Sequence, residues 1–97
     1  MPLSESHKKY LRGLGHKLKP AVTVGGAGIS EALVAEFEAT IAHHELVKVR
    51  VRAADREARD AAIDELARRG HADLVTRIGN VALYYRPNPE RPKITLP

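Results

Sequence analysis

Between positions 46 and 52 the chain reads Leu-Val-Lys-Val-Arg-Val-Arg, valine and base alternating with a period of two. Side chains two apart share one face of a strand. Val47, Val49 and Val51 therefore point one way, and Lys48, Arg50 and Arg52 the other. Such a strand needs an apolar cover on its valine side and shows solvent three positive charges on the other. Whatever the chain folds into must supply that cover. With 97 residues, 43% of them apolar and 29% charged, it has enough apolar surface for one modest core.

The punctuation around this strand is regular. Ser4 caps a helix running to about Leu14, with Leu3, Tyr10, Leu11 and Leu14 on one side, before Pro20 starts a new element. Ala21 to Val24 reads as a short buried strand, stopped by Gly25-Gly26-Ala27-Gly28. Ser30 caps a second helix to about His44, whose core stripe is Leu33, Val34, Phe37 and Ile41. Asp55 caps a third through Arg69, with Ala58, Ala62, Ile63 and Leu66 inward and Gly70 as its stop. Asp73–Ile78 and Val81–Tyr85 are two strands joined by Gly79-Asn80, a hairpin signal. Prolines at 87, 89, 92 and 97 keep residues 87–97 extended. The order predicts a two-layer α/β (α+β) fold in which helices pack on a mixed four-stranded sheet, one domain across 1–97.

The net charge of +4 is unevenly placed. Residues 1–20 carry Lys8, Lys9, Arg12, Lys17 and Lys19 against Glu5, whereas 21–45 hold only acids. Lys48, Arg50 and Arg52 form a second basic block, and Arg77, Arg86, Arg91 and Lys93 a third. Folding either mixes these blocks over a solvated surface or gathers them into a positive face suited to a polyanion.

Several chemistries find no support. The absence of cysteine excludes disulfides and thiolate metal sites. No apolar run approaches the ~20 residues of a membrane span, and the first residues lack the apolar stretch of a secretory signal. The expectation is a cytoplasmic protein with no cofactor and no membrane or small-molecule partner. His43-His44-Glu45 suggests a metal, but adjacent histidines on a helix diverge by about 100°, and neither has a ligand four residues away. No catalytic grouping is readable. The acids of the third helix alternate with Arg56 and Arg59, as on a solvated face.

Gly25-Gly26-Ala27-Gly28 fails as a dinucleotide fingerprint, lacking the third glycine, and as a P-loop, lacking Gly-Lys-Ser/Thr. What remains is a GxxG spacing before a helix N-terminus. Backbone N–H groups there can hold one phosphate, although a plain tight turn satisfies the same spacing. Aromatic residues are few: Tyr10, Phe37, Tyr84 and Tyr85. Either Tyr84 or Tyr85, which point to opposite faces, can supply one stacking ring but not a platform, so phosphate contact should outweigh base reading.

The segments LKPAVTVGGAGIS, HHELVKVRV, DREAR and YYRP, in this order and spacing, resemble the CRM domain, named for chloroplast RNA splicing and ribosome maturation. Among its members the chain is similar to the single-domain bacterial YhbY-like proteins. The resemblance implies an α-β-α-β-α-β-β fold similar to the C-terminal domain of a bacterial translation initiation factor. It also implies binding of structured RNA, with precursor large-subunit ribosomal RNA as the partner. It maps the family's GxxG loop onto Gly25, Gly26, Ala27 and Gly28, and its basic surface onto the lysines of the first helix, Lys48 and Arg50. Lys8, Lys9, Arg12, Lys17, Lys19, Lys48, Arg50 and Arg86 are thus the expected RNA contacts beside the loop. No base stands between the loop glycines, so the loop offers backbone donors only. The rival reading is a protein-interaction adaptor on the ribosome or an assembly factor, using the acidic helices.

Overall fold

The computed structural model describes residues 3–97; Met1 and Pro2 of the expected 1–97 unit lie outside the described residues. The elements are α1 (Glu5–Gly15), β1 (Val22–Val24), α2 (Glu31–His44), β2 (Leu46–Val51), α3 (Arg56–Arg69), β3 (Asp73–Ile78) and β4 (Val81–Tyr85). Each helix starts on its expected cap. Ser4 Oγ accepts from the His7 N–H at 3.1 Å, Ser30 Oγ from Leu33 at 3.1 Å, and Asp55 Oδ1 from Ala58 at 2.8 Å. Each bond satisfies an N–H that the first turn of a helix leaves without a partner.

The sheet runs β1-β2-β4-β3. β1 and β2 are parallel, which requires a crossover, and α2 provides it. The pairs β2·β4 and β4·β3 are antiparallel, the latter turning at Gly79-Asn80 with Gly79 at φ 60°. The mixed four-stranded sheet is as expected. Its layers are distributed differently from the two foreseen, because the helices cover both faces. α2 and α3 enclose Val22, Val24, Phe37, Ile41, Val47, Val49, Val51, Ile63, Leu66, Ala82 and Tyr84. On the opposite face, α1 and the C-terminal segment pack with Leu11, Leu46, Val75, Leu83 and Tyr85, adding Leu3, Ile94 and Leu96. The reason lies in β4: Ala82-Leu83-Tyr84-Tyr85 is apolar at every position and inner in the sheet, so it must be covered on both sides.

That double cover removes the stacking ring expected from β4. Tyr84 and Tyr85 do point to opposite faces, but both are buried. Tyr84 meets Phe37 edge to face at 5.1 Å and donates its hydroxyl to the Ile63 carbonyl at 2.8 Å. Its burial raises the phenol pKa well above the ordinary value, with Asp64 adding to the effect. Tyr85 belongs to the cluster under α1.

The extended tail packs Ile94 and Leu96 under α1, and its backbone N–H groups converge on one side chain. Glu45, at φ 64° after α2, is buried, and its carboxylate accepts the backbone N–H groups of Asn88 (2.6 Å), Lys93 (2.6 Å) and Ile94 (2.8 Å). A non-glycine residue at positive φ is conformationally costly. Three N–H donors at one carboxylate offset that cost. Burial alone would raise the Glu45 pKa; the N–H groups of Asn88, Lys93 and Ile94, with the nearby Lys93 charge, outweigh it and hold the pKa below the ordinary value.

Candidate nucleic-acid interface

The basic side of β2 lies on the face that α1 covers only in part. Lys48, Arg50 and Arg52 follow one another at the two-residue spacing of a strand, about 6.6–6.8 Å per step. They meet three different surroundings. Lys48 is half-buried beside α1, and its ammonium donates to the Leu18 carbonyl at 3.1 Å. Arg50, opposite Thr23 of β1, is exposed on the open part of the sheet. Arg52 stands past the end of the strand, its N–H bonded to the Val24 carbonyl at 2.9 Å, next to the glycine loop.

Each end of this row opens into a cleft. At the Lys48 end, a groove of about 260 Å³ is lined by Arg12, Gly15 and His16 of the α1 end, and by Thr76, Ile78, Val81 and Leu83 of the β3–β4 hairpin. The helix sits directly on the sheet here: a Cβ at Gly15 would come within 2.7 Å of Leu83 Cδ2. A β-bulge between Leu74 and Thr76 inserts one residue into β3. It brings Thr76 and Ile78 to the groove, while Arg77 reaches across to Asp60 of α3 at 3.6 Å. At the Arg52 end, a wider cleft of about 500 Å³ is lined by Val24, Gly25, Gly26 and Gly28 and by Ala53, Ala54, Ala58 and Ala62. No carboxylate is among the described residues that line either cleft.

The glycine loop is a turn closed by the Gly28 N–H on the Gly25 carbonyl at 3.1 Å. Gly28, at φ 82°, needs glycine; Gly26 has open space and no such backbone requirement. Gly25, Gly26 and Ala27 are exposed. The start of α2, expected to share in holding a phosphate, is already occupied. Ser30 takes the Leu33 N–H, and Glu31 puts its own negative charge in the first turn. What the loop presents to an anion is therefore its exposed Gly26-Ala27 backbone, with the Arg52 charge beside it.

The expected contacts do not all converge. Arg12 meets Lys48 at the groove, and Lys17 and Lys19 are exposed on the connection whose Leu18 receives Lys48. Lys8 and Lys9 lie one turn back along α1, the first half-buried and the second exposed. Arg86 is apart from them. Its guanidinium binds Glu38 at 3.1 Å and the Gly70 carbonyl at 2.8 Å, tying the end of β4 to α2 and to the end of α3. Two further residues belong to the surface, His16 and Arg52. The signal for Arg52 was the continued alternation after Arg50; His16 had none, because its place depends on how α1 crosses the sheet.

Among the described residues no group of three or more His, Cys, Asp or Glu side chains could hold a metal. The Glu45 of His43-His44-Glu45 is committed to the tail. Two of the four α3 acids are paired with arginines: Asp60 with Arg59 at 3.2 Å and Glu65 with Arg69 at 3.1 Å. No described helix is long and apolar enough to cross a membrane.

Comparison with known proteins identifies a family and named relatives. A family model described as the CRS1 / YhbY (CRM) domain matches residues 3–86. A Haemophilus influenzae protein named an RNA-binding protein is 44% identical over 95 residues, covering 98% of this chain and 95% of its own. A "probable RNA-binding protein" of Pseudomonas aeruginosa is 42% identical over 90 residues, covering 93% and 86%. The solution structure of a hypothetical protein from Staphylococcus aureus matches at a TM-score of 0.84 and 30% identity, over 99% of this chain and 100% of that one.

Proposed function

The chain belongs to the CRS1 / YhbY (CRM) domain family, and from that premise we propose that it binds structured RNA along the row Lys48–Arg50–Arg52. The observation that carries this reading is the placement of that row. It connects a groove rimmed by Arg12 and His16 to the exposed glycine turn, with no lining carboxylate between the backbone of an RNA and either end. Lys17 and Lys19 extend the positive surface on the α1 side; Lys8 and Lys9 extend it along the helix. The names of the relatives support RNA as the ligand. The family resemblance supports the finer reading: precursor ribosomal RNA of the large subunit, bound in the cytoplasm while the subunit assembles. The protein acts by holding RNA and not by cutting it, a reading supported by the lining of the two clefts, which holds no carboxylate among the described residues.

Phosphate contact makes such binding salt-dependent. A protein neutralising ~4–6 phosphates loses affinity with a log–log salt slope of roughly −3 to −5. Titrating large-subunit ribosomal RNA fragments at several salt concentrations measures that slope. The same titration with Gly26 and Ala27 both replaced by Asp tests the loop, where Gly26 has open space beside it and Ala27 is exposed. We expect affinity at least about tenfold weaker, a loss of about 1.4 kcal/mol or more, with an unchanged circular dichroism spectrum. A slope near zero contradicts the reading and favours a protein partner.

A further inference from the structure

The groove beside α1 has a basic rim, but its floor is of another kind. Ile78, Val81 and Leu83 present aliphatic surface, and Ile78 is 72% exposed. A lone exposed isoleucine on a protein surface calls for no explanation. This one continues an apolar floor below two cationic side chains, Arg12 and Lys48, and the His16 ring. Phosphate contact alone makes no use of such a floor, whereas a nucleotide matches both parts at once. Its planar base stacks on apolar or guanidinium surface while its phosphate meets the cations.

Three observations narrow the occupant. The volume, about 260 Å³, falls below the roughly 300–1,000 Å³ of clefts for drug-sized ligands and suits one ring system. The rim carries Arg12, His16 and Lys48 with no carboxylate, so it favours an anionic ligand over a neutral one. The Leu18 carbonyl engages one donor of the Lys48 ammonium and fixes its position; two N–H donors remain for a phosphate. Nor does the described C-terminal tail fill the groove. Ile94 and Leu96 of the tail pack with Leu11 and Tyr85 instead.

Resting on the RNA-binding reading above, we propose that this groove receives one unpaired nucleobase of the bound RNA. The base lies against Ile78 and Val81 with Arg12 and His16 at its border, and its phosphate points to Lys48. A paired base cannot enter, because its faces and edge are engaged within the helix. The groove therefore makes the protein selective for RNA with an extruded nucleotide, a selectivity that the β2 charges cannot supply, since duplex and bulged RNA carry similar phosphates.

The test compares two RNAs by fluorescence anisotropy at fixed salt: a duplex of about 16 base pairs with one unpaired adenosine at its centre, and the same duplex fully paired. The unmodified protein should bind the bulged RNA about fivefold more tightly or better, the lower end of what stacking of one base contributes. Ile78→Ser should abolish that preference while leaving affinity for the paired duplex within about twofold, since the change is neutral in charge and lies on the surface. Equal binding of the two RNAs by the unmodified protein overturns the proposal and leaves the groove to an apolar segment of a protein partner. A preference that survives in Ile78→Ser overturns it as well. Failure to bind either RNA at low salt removes the RNA-binding reading itself, a result distinct from equal binding.

Discussion

The two faces of the sheet are built to different standards. Under α2 and α3 the valines of β1 and β2, Phe37, Ile63, Leu66 and Tyr84 are closed off from water, and the Tyr84 hydroxyl has its own acceptor. Under α1 the cover stops short. Leu11, Leu46, Val75, Leu83 and Tyr85 are buried, yet Arg50 and Ile78 on the same face remain open and Lys48 is only half-covered. Close packing on one side leaves the chain free to keep charges and an unfilled groove on the other. The main core and the groove beside α1 thus lie on opposite sides of one sheet, joined by side chains that alternate along β2, while the cleft at the glycine turn borders α3.

The sharpest way to break that contrast is a cavity in the closed face. Phe37 is fully buried and its ring lies against Tyr84. Phe37→Ala should cost about 3–5 kcal/mol in urea unfolding. Below the unfolding transition, RNA affinity per folded molecule should stay within about twofold. A large fall in affinity with the fold intact would mean that the two faces are coupled.

A smaller effect is expected at the tail, which completes the cover of the α1 face. Removing the Glu45 carboxylate leaves the N–H groups of Asn88, Lys93 and Ile94 without their acceptor. Glu45→Ala should destabilise by about 2–3 kcal/mol and speed amide exchange in residues 87–97. Because the folded-state pKa of Glu45 is held below its ordinary value of 4.5, its contribution is fully present above pH 4.5 and is lost as pH falls through the lower, folded-state value. Acid titration followed by the amide signals of Lys93 and Ile94 should show the tail released in that window for the unmodified protein. In Glu45→Ala the tail should already be loose at neutral pH. A tail equally protected in both proteins would show that Ile94 and Leu96 hold it by packing alone.

These cases also separate what the sequence displays from what it hides. Caps, helical stripes, the Gly79-Asn80 turn and the β2 alternation are local signals, and each reappears at its place in the fold. The helix boundaries follow because Ser4, Ser30 and Asp55 act within three residues of themselves. What depended on distant contacts was not legible. Glu45 looks like one acid after two histidines; its partners lie more than forty residues away. The β3 bulge leaves no mark in Leu-Val-Thr-Arg-Ile, though it decides which side chains reach the groove. Arg86 reads as a surface base until the Gly70 carbonyl and Glu38 converge on it. The double cover of β4 was written in Ala-Leu-Tyr-Tyr, but a run apolar at every position gives no face to either helix layer.

The finest distinction lies within the open face, between Lys48 and Arg50. Both belong to the basic row, and sequence alone gives them the same solvent-facing role. The structure separates them: Lys48 is half-buried and bonded to Leu18, whereas Arg50 is exposed without such a tie. Arg50→Ala should therefore leave stability within about 0.5 kcal/mol. Lys48→Ala gives up a charge-assisted bond to the α1–β1 connection and uncovers part of the groove wall, so it should cost somewhat more, about 1 kcal/mol. Toward RNA the two should behave alike. If each contacts one phosphate, each substitution weakens binding across sequences and makes the salt slope shallower by about 1. Urea unfolding beside a salt titration of each variant reads both quantities from the same preparation. A slope unchanged in Arg50→Ala would take the middle of the β2 row out of the interface, confining contact to the groove and the glycine turn.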